Sequence, residues 1–117
     1  MPNRLLIFAA GVCGAAGVGL SAVAAHGGSP NTANAATLLV VHAPVFMVAG
    51  MVDFNAVLRW SAAILFVGLA LFASDMISRD YFDTRLFAMA APTGGLLMIV
   101  GWVGIALAAL FPRRLFG

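Results

Sequence analysis

The sequence contains no lysine, glutamate or glutamine, and only 9% of its 117 residues carry a charge. A soluble domain of this size needs charged residues at roughly a quarter of its positions to cover its surface. Hydrophobic residues instead make up 63% of the chain. This composition excludes an ordinary soluble domain and indicates a protein whose surface faces lipid.

Catalytic and ligand-binding motifs are missing as well. The single cysteine, Cys13, excludes an intrachain disulfide and gives no metal-site spacing, so we interpret it as a small residue in helix packing. We find no nucleophile elbow, phosphate-binding loop, CxxC or HExxH pattern, and no basic patch interleaved with aromatic residues. We therefore expect no enzyme activity, no metal and no nucleic-acid partner.

The apolar residues fall into four long stretches, and a bilayer-spanning helix needs about 20 such residues. The breaks between them are short: "HGGSPNTAN", "DFNA" and "SRDYFDT". Short connections favour antiparallel neighbours. The sequence thus predicts an all-α membrane protein, a single domain over 1–117, with four transmembrane helices in an up-down antiparallel bundle at about 5–25, 35–52, 57–77 and 86–111.

The arginines predict the orientation of this bundle. Four of them lie at helix ends on the same side of the membrane as the N-terminus: Arg4, Arg59, Arg113 and Arg114. The other two, Arg79 and Arg85, lie at helix ends on the opposite side. Because cytoplasmic ends carry the excess of arginine, we expect both termini in the cytoplasm of a multi-pass inner-membrane protein. Trp60 and Trp102 would then belong to the aromatic belt at the inner interface.

Glycines and prolines indicate how the helices pack. Small residues at four-residue spacing let membrane helices approach closely, and two helices carry such residues: Gly11, Ala15 and Gly19 in the first, and Gly94, Gly95, Gly101 and Gly104 in the fourth. We predict these as the tightest packing faces. Pro44 and Pro92 lie inside predicted helices, where each would kink the helix and leave a carbonyl, of Val40 or Ala88, without its partner.

Four polar residues are predicted to lie in the outer half of the bundle: His26, His42, Asp75 and Thr93. At 1.5 Å per residue, His42 lies roughly 10 Å into the second predicted helix. An imidazole in hydrocarbon needs a hydrogen-bond partner, for which Asp75, Thr93 or a carbonyl freed by proline are candidates. The cluster is either an interhelical packing contact, a site for a proton or polar head group, or, less favoured, a metal site. We also expect Asp75 to pair with Arg79, one turn further along.

Four stretches resemble segments of a known family and occur in the same order as in that family: "GLSAVAAHG", "VHAPVFMVAG", "GLALFAS" and "APTGGLLMIVGW". They are similar to the small membrane proteins grouped as domain of unknown function 423, also called the YgdD-like or transmembrane protein 256 family. The resemblance covers most of the chain and implies a four-helix membrane protein. It carries these residues onto the family pattern: His26, His42, Pro92, Gly94, Gly95, Gly101 and Trp102.

Two departures from the family pattern affect the site. The chain has "SAVAA" where the family usually has Gly-Ala-Phe-Gly-Ala, and "ASD" where it usually has Ser-Gly-Ser, so Asp75 is not a family feature. Arg4 and the "SAVA" before Ala25 also fit a cleaved signal peptide, but the apolar core exceeds the roughly 7–15 residues typical of one. The resemblance supports an uncleaved first helix.

Two functions follow from these features. The first is a non-catalytic accessory, assembly or stabilising subunit, which contacts the lipid bilayer and a membrane-protein partner or further copies of itself. The second is a binding or transport module for a small molecule, quinone, lipid or proton, with His42 as its pivotal residue. We expect no cofactor beyond a bound lipid or quinone.

Overall fold

The computed structural model describes residues 3–84 and 89–113. Within them the chain forms four helices and no strand: α1 (Arg4–Ala25), α2 (Pro30–Val52), α3 (Ala56–Tyr81) and α4 (Ala90–Ala108). Each is long and apolar enough to cross a membrane. The predicted all-α class and the four spans are confirmed.

Side chains of the connecting segments fix where three of the helices begin. The side-chain amide oxygens of Asn3 and Asn55 accept hydrogen bonds from the backbone N–H groups of Leu6 and Leu58, at 3.2 and 2.9 Å. Ser29 accepts from the N–H of Asn31, and Pro30 takes the first helical position, where its missing N–H costs nothing. These caps satisfy N–H groups that the helices leave unpaired at their starts.

The Ser29 cap explains the main error in the predicted boundaries. The prediction started α2 at residue 35, but the helix begins at Pro30, and α3 continues to Tyr81 rather than residue 77. The fourth helix is shorter than the predicted 86–111: it begins at Ala90, after Met89 in a left-handed conformation, and ends at Ala108. Residues 86–88 of that prediction lie outside the described residues.

Helices α2 and α3 form the centre of the fold. Helix α1 packs along α2, and α4 packs along α3, while the described parts of α1 and α4 have no backbone contact with each other. The core between them contains an edge-to-face pair, Phe46 and Phe66, with ring centroids 5.6 Å apart, and the fully buried Leu65 and Leu69. The two outer helices are therefore each supported mainly by one neighbour.

Contacts between helix ends tie these neighbours together. The N–H of Asn3 donates to the carbonyl of Gly50 at 2.7 Å, which joins the start of α1 to the last turn of α2. The amide of buried Asn55 donates to the carbonyl of Ala108 at 3.0 Å, which joins the start of α3 to the end of α4. Asp80, near the end of α3, accepts from Asn31 and Thr32 in the first turn of α2.

The glycines of α4 behave largely as predicted. A Cβ on Gly94 would lie 2.7 Å from the carbonyl oxygen of Gly68, and one on Gly101 would lie 2.8–2.9 Å from Leu65. Gly104 abuts Ser61 in the same way. Gly95 is the exception, since nothing lies within 4 Å of its Cβ position. The α3–α4 contact thus requires three of the four predicted glycines.

The predicted packing face of α1 is wrong within this chain. Gly11, Ala15 and Gly19 are exposed, and no atom lies within 4 Å of a Cβ placed on either glycine. The buried face instead contains Ala10, Cys13 and Gly17, with Gly17 pressed against Val40. The two faces differ by about two residues, or roughly 200° of rotation. Small residues occur on both sides of α1, so spacing alone did not identify the side that meets α2.

The two prolines differ in their places. Pro44 lies inside α2, as predicted, and the helix continues beyond it to Val52. Pro92 is the third residue of α4, because this helix starts at Ala90. In a first turn the missing N–H has no intrahelical acceptor, so Pro92 breaks no helical hydrogen bond. Its predicted role as an internal kink is therefore wrong, and Ala88 lies outside the described residues.

Candidate functional site

His42 is the most deeply placed of the four predicted site residues. It lies twelve residues after the start of α2 and ten before its end, hence near the middle of the membrane-spanning helix. The predicted depth of roughly 10 Å becomes roughly 18 Å because α2 begins earlier than expected. Only 5% of His42 is exposed.

Both ring nitrogens of His42 have partners. Nδ1 lies 2.8 Å from the carbonyl oxygen of Leu38, and Nε2 lies 3.2 Å from the indole nitrogen of Trp102 on α4. A carbonyl accepts and an indole N–H donates, so the arrangement requires a neutral imidazole with its proton on Nδ1. The rings are 5.7 Å apart and tilted by 59°. His42 therefore links α2 to α4, and both of its ring nitrogens are used by partners within the chain.

Trp102 is the partner that the sequence analysis missed. It was assigned to the interfacial belt from its place near the end of the predicted helix 86–111. The observed α4 ends at Ala108, so Trp102 does lie roughly 9 Å from the end of its helix. Its indole N–H nevertheless donates to His42. The resemblance noted in the sequence implies a family role for both residues, and this was the available signal for a contact between them.

Asp75 forms the ion pair predicted from its spacing. Its Oδ2 lies 2.9 Å from Nη2 of Arg79, one turn further along α3, and the carboxylate is fully buried. The guanidinium reaches toward the end of the helix and remains partly exposed. The pair lets an acidic side chain lie inside a membrane span with its charge balanced.

His26 and Thr93 lie apart from this pair and from His42. His26 is exposed at the end of α1, with Nδ1 2.8 Å from the carbonyl oxygen of Ala22. Thr93 is exposed in the first turn of α4. Among residues 3–84 and 89–113, no hydrogen bond joins any two of the four predicted side chains, and no group of three potential ligands could hold a metal ion.

A different set of residues forms two pockets along α1 and α3, which together we call the α1–α3 cleft. One is an apolar groove with a volume of about 430 Å³, which includes Leu39 of α2 and is otherwise lined by Val12, Cys13, Ala16, Leu20, Phe66, Leu69, Ala70, Ala73, Ser74, Ile77, Ser78 and Phe82. The other is a polar pocket of about 340 Å³, near the ends of α1 and α3 and the start of α2, that contains His26, Thr32, Asp80 and Tyr81. Of the predicted site residues, only His26 contributes to this cleft.

Comparison with known proteins gives a family and nothing closer. A family model described as "Protein of unknown function (DUF423)" matches residues 20–95, which is more than half of the chain. The match extends from the last turns of α1 to the first turns of α4 and so includes both His42 and the polar pocket. No curated protein and no solved structure matches the chain.

Proposed function

We propose that this chain, which belongs to the DUF423 family, is a non-catalytic accessory subunit that stabilises a larger complex of the inner membrane. The four apolar helices support a multi-pass membrane protein. The contacts between the start of one helix and the end of the next support an up-down arrangement, and the arginine distribution supports cytoplasmic termini.

The observation that carries this proposal is the incomplete burial of the outer helices. Of the most apolar 18 residues in α1 and α4, 28% and 22% are buried within the chain, against 44% in α2 and 33% in α3. A closed bundle would cover these helices on two sides, but α1 and α4 have no described backbone contact with each other. Each therefore has an uncovered face, and we assign the partner to the face of α1 because of its small residues.

The uncovered face of α1 has the composition of a helix–helix contact. Gly11, Ala15 and Gly19 recur at four-residue spacing along it and are exposed, and a Cβ on either glycine would meet none of the described residues of the other helices within 4 Å. Association of helices in lipid depends on close backbone approach, since lipid tails provide no hydrophobic driving force, and small residues permit that approach. The face thus suits a transmembrane helix of another protein.

Native purification followed by mass spectrometry tests the proposal. The protein is extracted from its own membrane in mild detergent and purified by chromatography. We expect it to co-elute with one stoichiometric membrane-protein partner. Ala15→Leu should reduce recovery of the partner about tenfold, because a bulky side chain keeps the helices apart. Ala106→Leu, at an exposed position on α4, is the matched control and should leave recovery unchanged.

Two results would reject the accessory role. One is a protein that runs alone in mild detergent. The other is a homo-oligomer with no second polypeptide, which would make the α1 face a self-association surface.

The alternative function, binding of a small molecule, is favoured by the cleft rather than by the predicted cluster. His42 already uses both ring nitrogens within the chain, so a proton or quinone would have to displace Trp102 or Leu38 to reach it. The groove and the polar pocket, in contrast, are open volumes of about 430 and 340 Å³. A binding role is therefore better supported at the α1–α3 cleft.

A further inference from the structure

A third pocket lies between the starts of α1 and α3. It has a volume of about 200 Å³ and is lined by Asn3, Leu5, Leu6, Arg59, Trp60 and Ala63. It shares no lining residue with the α1–α3 cleft, which lies further along the same two helices. We call it the arginine pocket, because Arg59 supplies its charge.

The polar and apolar walls of the arginine pocket lie at different depths. On α3, Arg59 is the fourth residue of the helix, and Ala63 lies one turn further in, roughly 6 Å deeper. On α1, Asn3 caps the helix, and Leu6 lies about one turn further in. Residues three or four apart share one side of a helix. The pocket therefore has its hydrogen-bonding groups at the helix starts and its apolar wall toward the middle of the spans, which is the order of head group and acyl chain in a phospholipid.

Positive side chains predominate at this end of the protein. Three of the described arginines lie here with one aspartate: Arg4, Arg59, Arg113 and Asp53. The opposite end has the reverse balance among the described residues, with one arginine and three aspartates: Arg79, Asp75, Asp80 and Asp83. Helix dipoles do not decide the sign, because α1 and α3 begin here while α2 and α4 end here. The excess of arginine therefore favours an anionic ligand at the starts of α1 and α3.

Arg59 has hydrogen-bond donors that the described part of the chain leaves unused. Its Nη1 lies 3.8 Å from Oδ1 of Asp53, which is an ion pair but is too long for a hydrogen bond. The guanidinium has five N–H donors and gives no hydrogen bond to any described residue. The side chain of Arg59 is 32% exposed and that of Asp53 only 7%, so Asp53 lies on the buried side of the pair. An anion can thus reach the guanidinium without displacing Asp53.

Two further groups beside Arg59 favour a phosphate. Trp60, the next residue of the pocket wall, is largely exposed, and its indole N–H donates to no described residue. Arg4, between Asn3 and Leu5 of the opposite wall, is exposed and has no ion pair within residues 3–84 and 89–113. Guanidinium groups bind phosphate oxygens through paired N–H donors, and tryptophan favours the level of the lipid head groups. The helix starts therefore offer several donors to one phosphate.

From this charge complementarity we infer that the arginine pocket binds one anionic phospholipid, its phosphate at Arg59 and the start of an acyl chain against Leu6 and Ala63. A zwitterionic lipid carries an ammonium beside its phosphate, and the excess of arginine at this end repels that ammonium. Bulk lipid competes equally for the apolar wall, so selectivity comes from the head group. This inference does not depend on the accessory role proposed above.

Native mass spectrometry of the full-length protein tests the inference. The protein is reconstituted in nanodiscs that contain equal amounts of phosphatidylglycerol, phosphatidylethanolamine and phosphatidylcholine with identical acyl chains, and the lipids retained on release are counted. We expect about a fivefold excess of phosphatidylglycerol over phosphatidylcholine, as one arginine near the membrane surface would give. Equal retention of the three lipids, or an excess of either zwitterionic lipid, would overturn the inference.

A matched pair of arginine variants separates a site from a general attraction of anionic lipid to this end. Arg59→Gln should bring the ratio of phosphatidylglycerol to phosphatidylcholine close to one. Arg113→Gln removes the same charge from the same end at an exposed position outside the pocket, and it should keep most of the preference. A folded Arg59→Gln protein with the wild-type ratio, or an equal loss in both variants, would overturn the inference.

A second pair of variants decides the matter if Arg59→Gln leaves Asp53 unpaired and does not fold. Ala63→Phe fills the pocket from a half-buried position and should lower retention of phosphatidylglycerol at least about threefold. Ala106→Phe lies outside the pocket and should behave as the wild type. Unchanged retention in Ala63→Phe would overturn the inference, and a loss with an unchanged Ala106→Phe control would support it.

Discussion

The indole N–H of Trp102 donates to Nε2 of His42 over 3.2 Å, and this bond joins α4 to α2 near the middle of the membrane span. Because the carbonyl of Leu38 holds the other ring nitrogen, the imidazole has one fixed orientation. The bond connects two helices that are otherwise bridged by α3. We therefore interpret His42 as a packing residue that determines how α4 sits against the centre of the fold.

A double-mutant cycle measures this bond. Trp102→Phe and His42→Leu should each destabilise the folded protein, and the double variant should lose less than the sum of the two. We expect a coupling energy of about 0.6–2 kcal/mol, typical of interhelical hydrogen bonds in membranes. Unfolding in mixed micelles gives the free energies, and Trp60→Phe, an exposed tryptophan on α3, is the control. Additive effects would mean that the bond contributes nothing.

Neighbouring glycines of α4 provide a test of the α3–α4 contact. A Cβ at Gly94 would collide with backbone atoms of Gly68 and Phe72 at 2.7 Å, where no flexible side chain can yield. We expect Gly94→Ala to cost about 1–3 kcal/mol in the free energy of unfolding. Gly95→Ala has open space around it and should cost nothing. Equal effects of the two substitutions would contradict the observed face of α4.

The two faces of α1 are distinguished by a second glycine pair. Gly17→Ala should destabilise the isolated chain by about 1–3 kcal/mol, since its Cβ would meet the side chain and N–H of Val40 at 2.6 and 2.9 Å. Gly11→Ala should leave the stability of the isolated chain unchanged. Unfolding in detergent checks both. A larger loss for Gly11→Ala would restore the originally predicted packing face.

Asn55 is expected to stabilise two helices at once. Its carbonyl oxygen caps α3 at Leu58, and its amide donates to the carbonyl of Ala108 at the end of α4. Asn55→Asp keeps the cap but loses the donor, whereas Asn55→Ala loses both. We expect the alanine variant to lose about 2–4 kcal/mol and the aspartate variant about half as much, from the loss of a cap and of a buried hydrogen bond. Equal losses in thermal unfolding would show that the cap contributes nothing.

The spans and the local pairs were predictable from the sequence, because they depend on short-range rules. Long apolar stretches form membrane helices because a helix pairs all of their backbone N–H and C=O groups internally, where no water is available. Asp75 and Arg79 are one turn apart, so their pairing follows from helical spacing. Gly94, Gly101 and Gly104 pack as predicted because their side of α4 meets α3.

Contacts that depend on rotation or register of whole helices were not predictable. The side of α1 that meets α2 was mistaken because glycine and alanine occupy both sides of this helix. The sequence prediction places His42 too near the surface because it starts α2 at residue 35, although the serine before a proline at Ser29–Pro30 is a recognised helix start. The cleft along α1 and α3 combines residues of three helices, and no periodicity within one helix reveals it.

Site-specific photocrosslinking in intact membranes tests the proposed accessory role most directly. A photoreactive phenylalanine derivative is placed at Ala15, on the uncovered face of α1, and at Ala106 as the control. We expect one discrete protein adduct from position 15, with the mass of the partner found by native purification, and none from position 106. Adducts with lipid alone at position 15, or the same adducts from both positions, would contradict it.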